Sequence, residues 1–186
     1  MNHKIKASLA ATLGLLFVGS ASALTITDAG TVNFTGQVVD SPCVVAQSSA
    51  NQNVILDDIP LTEFIPAGST NSTAGDTGGV KKSFDIVMEE CTSGAVQNMT
   101  FTFKGESPTS NPDVLANNGD AVDVGIALYE ENGSTALKLN EASSPLTIPE
   151  AATTGTKTFK AGYIVTGDAA STGSVEAVAT FDVTFS

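Results

Sequence analysis

Arginine and tryptophan are absent from this 186-residue chain, histidine occurs once, at His3, and cysteine only twice. Each shortage removes a class of chemistry. Without a histidine beyond position 3, the body of the chain has no Ser-His-Asp or Cys-His catalytic set and no histidine-ligated zinc. Lysine supplies all 8 side-chain cations against 20 Asp and Glu, for a net charge of −12. Such a surface repels nucleic acid and anionic membranes and helps to keep a protein soluble. Long apolar runs are missing too. Ala7 to Gly19 is largely apolar but shorter than the ~18 residues that cross a bilayer, and no later stretch reaches that length.

What is present begins with an address. Lys4 and Lys6 precede the apolar run, and Ala21-Ser22-Ala23 is a small-x-small cleavage site, so residues 1–23 read as a secretory signal peptide. Cleavage after Ala23 leaves 163 residues, a length for one domain. It also removes His3 and two lysines, leaving six lysines against 20 acidic residues and a net charge of −14. In an oxidising compartment the two remaining cysteines, Cys43 and Cys91, are expected to form a disulfide. No basic or histidine neighbour in sequence is there to activate either as a thiolate. The bridge closes a 48-residue loop, which the chain-entropy model values at roughly 4 kcal/mol.

The middle of the chain alternates with period two. Phe84, Ile86 and Met88 share a face, as do Met99, Phe101 and Phe103 before Gly105. Val122, Val124, Ile126 and Leu128 predict a further strand, followed by Asn132-Gly133, a hairpin signal, with Leu137 and Leu139 beyond it. Phe159, Ala161, Tyr163 and Val165 predict another. Val54-Ile55-Leu56 is a short apolar run, Pro60 and Pro66 interrupt the residues after it, and Gly68 to Gly79 reads as a loop. No segment keeps a helical period for three turns. Many short alternating strands with turn signals between them point to an all-β, antiparallel sandwich.

The two ends are of one kind. In the tail, Ala177, Ala179, Phe181, Val183 and Phe185 alternate with smaller or polar residues up to Ser186. Near the start, Val32, Phe34, Gly36 and Val38 share one face of Thr31–Val39. A sandwich short of one strand leaves an apolar groove and an unpaired edge, and that edge is a template for another chain. An alternating peptide fills it with main-chain hydrogen bonds and side chains in pockets. Val32, Phe34 and Val38 would each contribute about 1.5–3 kcal/mol if fully buried. A glycine such as Gly36 inside a strand marks either a close backbone approach or a bulge.

The run from Gly30 to Cys43, GTVNFTGQVVDSPC, resembles the start of a chaperone–usher pilin of the type 1 and P pilus kind. The segment Phe159–Tyr163 and the final ATFDVTFS are similar to that family's last two strands. Gly173, fourteenth from the end, and the penultimate Phe185 match its C-terminal pattern, although tyrosine is commoner at the latter place. The resemblance spans the chain after the signal peptide. It implies an incomplete immunoglobulin-like sandwich that lacks its last strand, divided into a signal peptide (1–23), an N-terminal donor-strand extension (24–40) and a pilin domain (41–186). It also implies a structural subunit of an adhesive fimbria, exported through the periplasm to the cell surface. There a periplasmic chaperone lends a strand to the groove and anchors the carboxylate of Ser186. At an outer-membrane usher, the arm of the next copy replaces it in a head-to-tail filament that does not close. On this reading Val32, Phe34, Gly36 and Val38 form the donor face, with Gly30 at its outer end. Gly173, Phe181, Val183, Phe185 and Ser186 serve the groove edge and chaperone contact, and the first strand after Cys43 forms the other edge.

The repeating rod component is the first expectation, and a minor linker or tip-proximal subunit is the alternative. A receptor-binding tip adhesin fits less well, because such proteins carry an extra domain and lack the arm. An enzyme is not expected. The doublets Asp57-Asp58, Glu89-Glu90 and Glu130-Glu131 are the only candidates for acid–base work, and neighbours on a strand face opposite ways. Asn117, Asn118, Asp120 and Asp123 do not have calcium-loop spacing. The Asn-x-Ser/Thr triplets at Asn33, Asn71, Asn98 and Asn132 are frequent by chance in a chain rich in Asn, Ser and Thr, and carry no glycosylation meaning if the protein is bacterial, as the resemblance implies. No cofactor, metal, nucleic acid or membrane insertion is expected.

Overall fold

The computed structural model describes residues 43–92 and 94–186. The predicted signal peptide and donor extension, with Val32, Phe34, Gly36 and Val38, lie outside the described residues.

Two antiparallel sheets face each other. The larger is built from β1 (Val44–Val45), β2 (Thr77–Glu89), β7 (Gly155–Val165), β4 (Val124–Glu130) and β5 (Ala136–Leu137), in that order. The smaller has β6 (Leu146–Ile148), β3 (Gln97–Gly105) and β8 (Ala179–Phe185), with β3 in the middle. The only helical pieces among the described residues are single turns, α1 (Gln47–Ala50) and a 3-10 turn at Leu61–Phe64. The expected all-β sandwich is therefore the fold.

The period-two alternation sets the core. Ile86 and Met88 of β2 and Met99, Phe101 and Phe103 of β3 are buried between the sheets. Phe159 of β7 joins the layers, its ring edge-on to Phe103 at 5.0 Å and to Phe101 at 5.6 Å, a geometry the ring quadrupoles favour. The disulfide between Cys43 and Cys91 forms as expected, both residues buried where Val44 of β1 pairs with Glu89 of β2.

Three sequence expectations shift. Strand β4 begins at Val124 and is buried on both faces, with Val122 left outside it and 56% exposed. The break has a backbone cause: Asp123 has φ +56°, so the alternation cannot run through it. The second face is covered because Leu115 bonds to Ile126 in both directions and Val114 packs with Ala127, Tyr129 and Ile164. The Asn132-Gly133 hairpin joins β4 to β5 as expected, but through residues 131–135. Asn132 Oδ1 accepts the amides of Ser134 and Thr135, while Gly133 takes φ +70°. Finally, β2 begins at Thr77, inside the stretch read as loop. A bulge between Gly78 and Lys82 needs Gly79 at φ +72° directly over Ile59, where a side chain would collide.

One flank of the sandwich is closed by polar bonds. Residues 140–143 run beside β3, with Asn140 and Ser143 donating to the carbonyls of Phe103 and Phe101 and Ser143 Oγ accepting from the Phe101 amide. The next residue reaches the other sheet: the Ser144 amide donates to Glu130 at 2.6 Å, and Lys157 donates to Ser144 Oγ at 2.7 Å while pairing with Glu130 at 3.2 Å. Together with β6, this leaves β3 bonded along both edges.

Candidate strand-acceptor site

The opposite flank is different. Strand β8 pairs with β3 along its whole length, Phe181 opposite Phe103, Val183 opposite Phe101 and Phe185 opposite Met99. Among the described residues nothing pairs with its other edge. The side chains tell the same story. Met99 and Phe101 are 0% exposed and Phe103 is 4% exposed, while Phe181, Val183 and Phe185, which face the same core from the adjacent strand, are only partly buried. The phenyl ring of Phe181 leans on Phe103 at 6.1 Å and on Phe101 at 6.5 Å.

The register fixes which main-chain groups face outward. Ser186 donates its amide to Asn98, so the antiparallel alternation bonds Thr184, Asp182 and Thr180 inward to β3. Phe185, Val183, Phe181 and Ala179 then present N–H and C=O to the open side. An ion pair between Lys104 and Asp182 adds a weak exposed link between the two strands.

A cleft of about 1480 Å³ runs beside this edge. Its near lip is β8 together with residues 171–178. Its far lip is not the regular strand expected after Cys43. Strand β1 stops at Val45, α1 comes next, and residues 52–59 then run extended without joining a sheet. Val54 and Leu56 still point inward to the core while Ile55 is 76% exposed. This lip is held from the side by polar bonds: Ser49 Oγ accepts the Val87 amide at 2.9 Å, Gln52 donates to the Asp85 carbonyl at 2.6 Å, and Lys82 pairs with Asp57 at 2.7 Å. The Tyr163 hydroxyl also donates to the Asp57 carbonyl. Phe84, Ile86, Phe103, Ile126 and Leu128 form the floor. A largely apolar trough with one unpaired strand edge has the chemistry to bind an extended peptide.

The structure thus brings Phe181, Val183 and Gly173 to the lining of one cleft, whereas Phe185, the last residue of β8, and Ser186 lie beyond that lining. Gly173 lies so close to the main chain of Asp120 and Ala121 that a side chain would strike it. Cys43 and Cys91 stand apart as a structural bridge. The residues that the sequence pattern does not reveal are Val54 and Leu56 as a lip rather than a strand, and Asn117. In sequence Asn117 stands out only as part of a loop without calcium spacing, yet it bonds four main-chain groups. The acidic doublets do not combine: Glu130 is tied to Lys157 and Ser144, whereas Glu131 is exposed.

The "Fimbrial protein" family model matches residues 32–186. The chain is 31% identical to the laminin-binding fimbrial subunit ElfA of Escherichia coli O157:H7 over 163 residues, covering 86% of this chain and 85% of that one. It is 32% identical to the type-1 fimbrial protein A chain of Escherichia coli K12, covering 98% and 99% of the two chains. Among solved structures, the P pilus rod subunit PapA superposes with a TM-score of 0.62 at 18% identity, covering 78% of this chain and all of that one. This shows a shared fold. By the family match along the whole described domain, and by relatives above 30% identity over most of their length, this chain belongs to the fimbrial protein family and is a pilin-type fimbrial subunit.

Proposed function

We propose that the chain is the repeating structural subunit of a fimbrial rod and polymerises by donor-strand complementation and exchange. The observation that carries this reading is the contrast between β3, bonded on both edges with the core-facing Met99, Phe101 and Phe103 buried, and β8, bonded on one edge with its core face partly uncovered. One added strand would complete the sheet and cover Phe181, Val183 and Phe185. In the periplasm the strand comes from a chaperone, whose basic groups hold the Ser186 carboxylate. At the outer-membrane usher it comes from residues 24–40 of the next copy, with Val32, Phe34, Gly36 and Val38 facing the floor. The likeness to a relative named as a probable major fimbrial subunit, 28% identical over 96% of this chain, supports the rod role over a linker role.

The test is deletion of Leu24–Val39. The shortened subunit should still be recovered with its chaperone and still accept an arm from another copy, but it should donate none, so filaments stop at that unit. The variant Gly36→Asn should likewise give chaperone-bound monomers and no long filaments by electron microscopy, because a buried amide without a partner costs ~1–3 kcal/mol. Polymerisation of Gly36→Asn at the normal rate would show that the register is wrong. Failure to recover the arm-deleted protein even with its chaperone would place the arm in its own fold.

A further inference from the structure

We infer that Asn117 is a positioning residue for strand docking: its carboxamide stands in for a missing strand and extends the docking edge of β8 back to Val175. The inference rests on the reading of the cleft as a strand acceptor.

Strand β8 starts at Ala179, and residues 173–178 belong to no sheet. Coil at a cleft rim has no reason to keep a strand's alternation. Yet Val175 and Ala177 are partly buried against the main core while Ser174, Glu176 and Val178 are exposed, so, apart from the exposed Ala179, the alternation of β8 continues four residues further back.

Asn117 accounts for this. Its Nδ2 donates to the carbonyls of Ser174 at 3.2 Å and Ala121 at 2.8 Å. Its Oδ1 accepts the amides of Glu176 at 2.7 Å and Gly119 at 2.8 Å. All four hydrogen-bonding positions of the side chain are used. Donating to one carbonyl and accepting from the amide two residues later is what a residue of a parallel strand does. Here the two bonds straddle Val175. Neighbouring main chain completes the support, with Asn118 donating to the Glu176 carbonyl at 2.7 Å and Ala121 to the Ser174 carbonyl at 3.0 Å.

With the polar groups of Ser174 and Glu176 turned toward this loop, those of Val175 and Ala177 face the other way. They have no hydrogen-bond partner among the described residues. Ala179, Phe181, Val183 and Phe185 continue the same row. The edge offered to an incoming strand therefore runs from Val175 to Phe185. The four added residues lengthen it by about 13 Å at the usual strand rise. Asn117 does not touch the incoming strand; it holds the segment that does.

The experiment uses the mature chain in complex with its chaperone, a synthetic peptide of residues 29–39 as the displacing strand, and amide hydrogen exchange as the readout. In the wild type, once the peptide has displaced the chaperone, the amides of Val175 and Ala177 should be protected from exchange, as should those of Phe181 and Val183. In Asn117→Ala, the protection at Val175 and Ala177 should fall at least tenfold while that at Phe181 and Val183 persists. Asn117→Asp keeps the acceptor and loses the donors, so it should fall between. The wild-type measurement tests the edge even if a variant folds poorly. Protection at Phe181 and Val183 with none at Val175 and Ala177 would end the edge at β8 and overturn the inference. So would full protection of Val175 in Asn117→Ala, or an equal loss at all four amides, which is general loosening. Absence of protection at every one of these amides in the wild type would instead overturn the acceptor reading itself.

Discussion

Phe181 gives the sharpest test of whether a strand covers the near lip. Full removal of a buried phenylalanine side chain costs ~3–5 kcal/mol. Phe181 is partly buried and keeps two aromatic neighbours on β3, so Phe181→Ala should cost about 2 kcal/mol in the subunit without a docked strand. Once a strand lies over it, the same change should cost about 4 kcal/mol. The difference, about 2 kcal/mol, belongs to docking and corresponds to a roughly 30-fold weaker hold on the arm. The assay is competition between chaperone and a peptide of residues 31–39 for the purified subunit, with the dissociation rate followed by a fluorophore on the peptide. Thr180→Ala is the control, because Thr180 is exposed on the outer face of the same strand and should change the rate less than about twofold. A Phe181→Ala rate within threefold of wild type would mean that the docked strand does not cover this ring, and the groove would have to be redrawn.

Three further outcomes are expected. Thiol titration of the denatured, unreduced protein should find no free cysteine, and Cys43→Ser should lower the yield of folded subunit, since removing such a bridge costs ~2–5 kcal/mol. Deleting Phe185 and Ser186 should abolish the chaperone complex in a periplasmic extract, because an apolar contact and the terminal carboxylate go together; a normal yield of complex would count against the proposed anchoring. Glu130 gives a pH test. Burial pushes its carboxyl up, but hydrogen bonds from Ser144 and the Lys157 ammonium outweigh this and hold it below the ordinary value. A carboxyl depressed by folding adds stability that is present above its unfolded pKa and is lost as the pH falls through the folded one. The folded subunit should therefore weaken as acid reaches Glu130. Glu130→Gln should be less stable by up to about 3 kcal/mol at neutral pH and should show a flatter acid limb in urea melts.

Much of the fold is legible in the sequence because packing there obeys a local rule. Where a strand buries one face, residues two apart share an environment, and β2, β3, β7 and β8 can be read from Phe84–Met88, Met99–Phe103, Phe159–Val165 and Phe181–Phe185. The rule fails where environment and spacing separate. Strand β4 is covered on both faces, so its sequence VGIALYE does not alternate, and the residue that breaks the series is Asp123 in a left-handed conformation. Strand β6 is three residues between Pro145 and Pro149, too short to alternate detectably.

The candidate site is legible on one side only, for a related reason. The near lip is a strand with a buried partner, so its pattern is visible in the tail. The far lip is an extended segment tied down by Gln52, Lys82 and Tyr163 through bonds to distant residues, and hydrogen bonds of that span leave no period in the sequence. Asn117 is the same case taken further, because it acts on residues 57 and 59 positions away. Nothing in NNGD distinguishes a side chain that bonds a distant segment of main chain from one that ends a turn. That a strand is missing is likewise not written in the number of strands. It appears when neighbours on one face are compared: Phe101 and Phe103 are sealed, Phe181 and Val183 beside them are not, and burying the rest of an apolar face that is only half covered would release free energy, which is what the proposed strand donation uses.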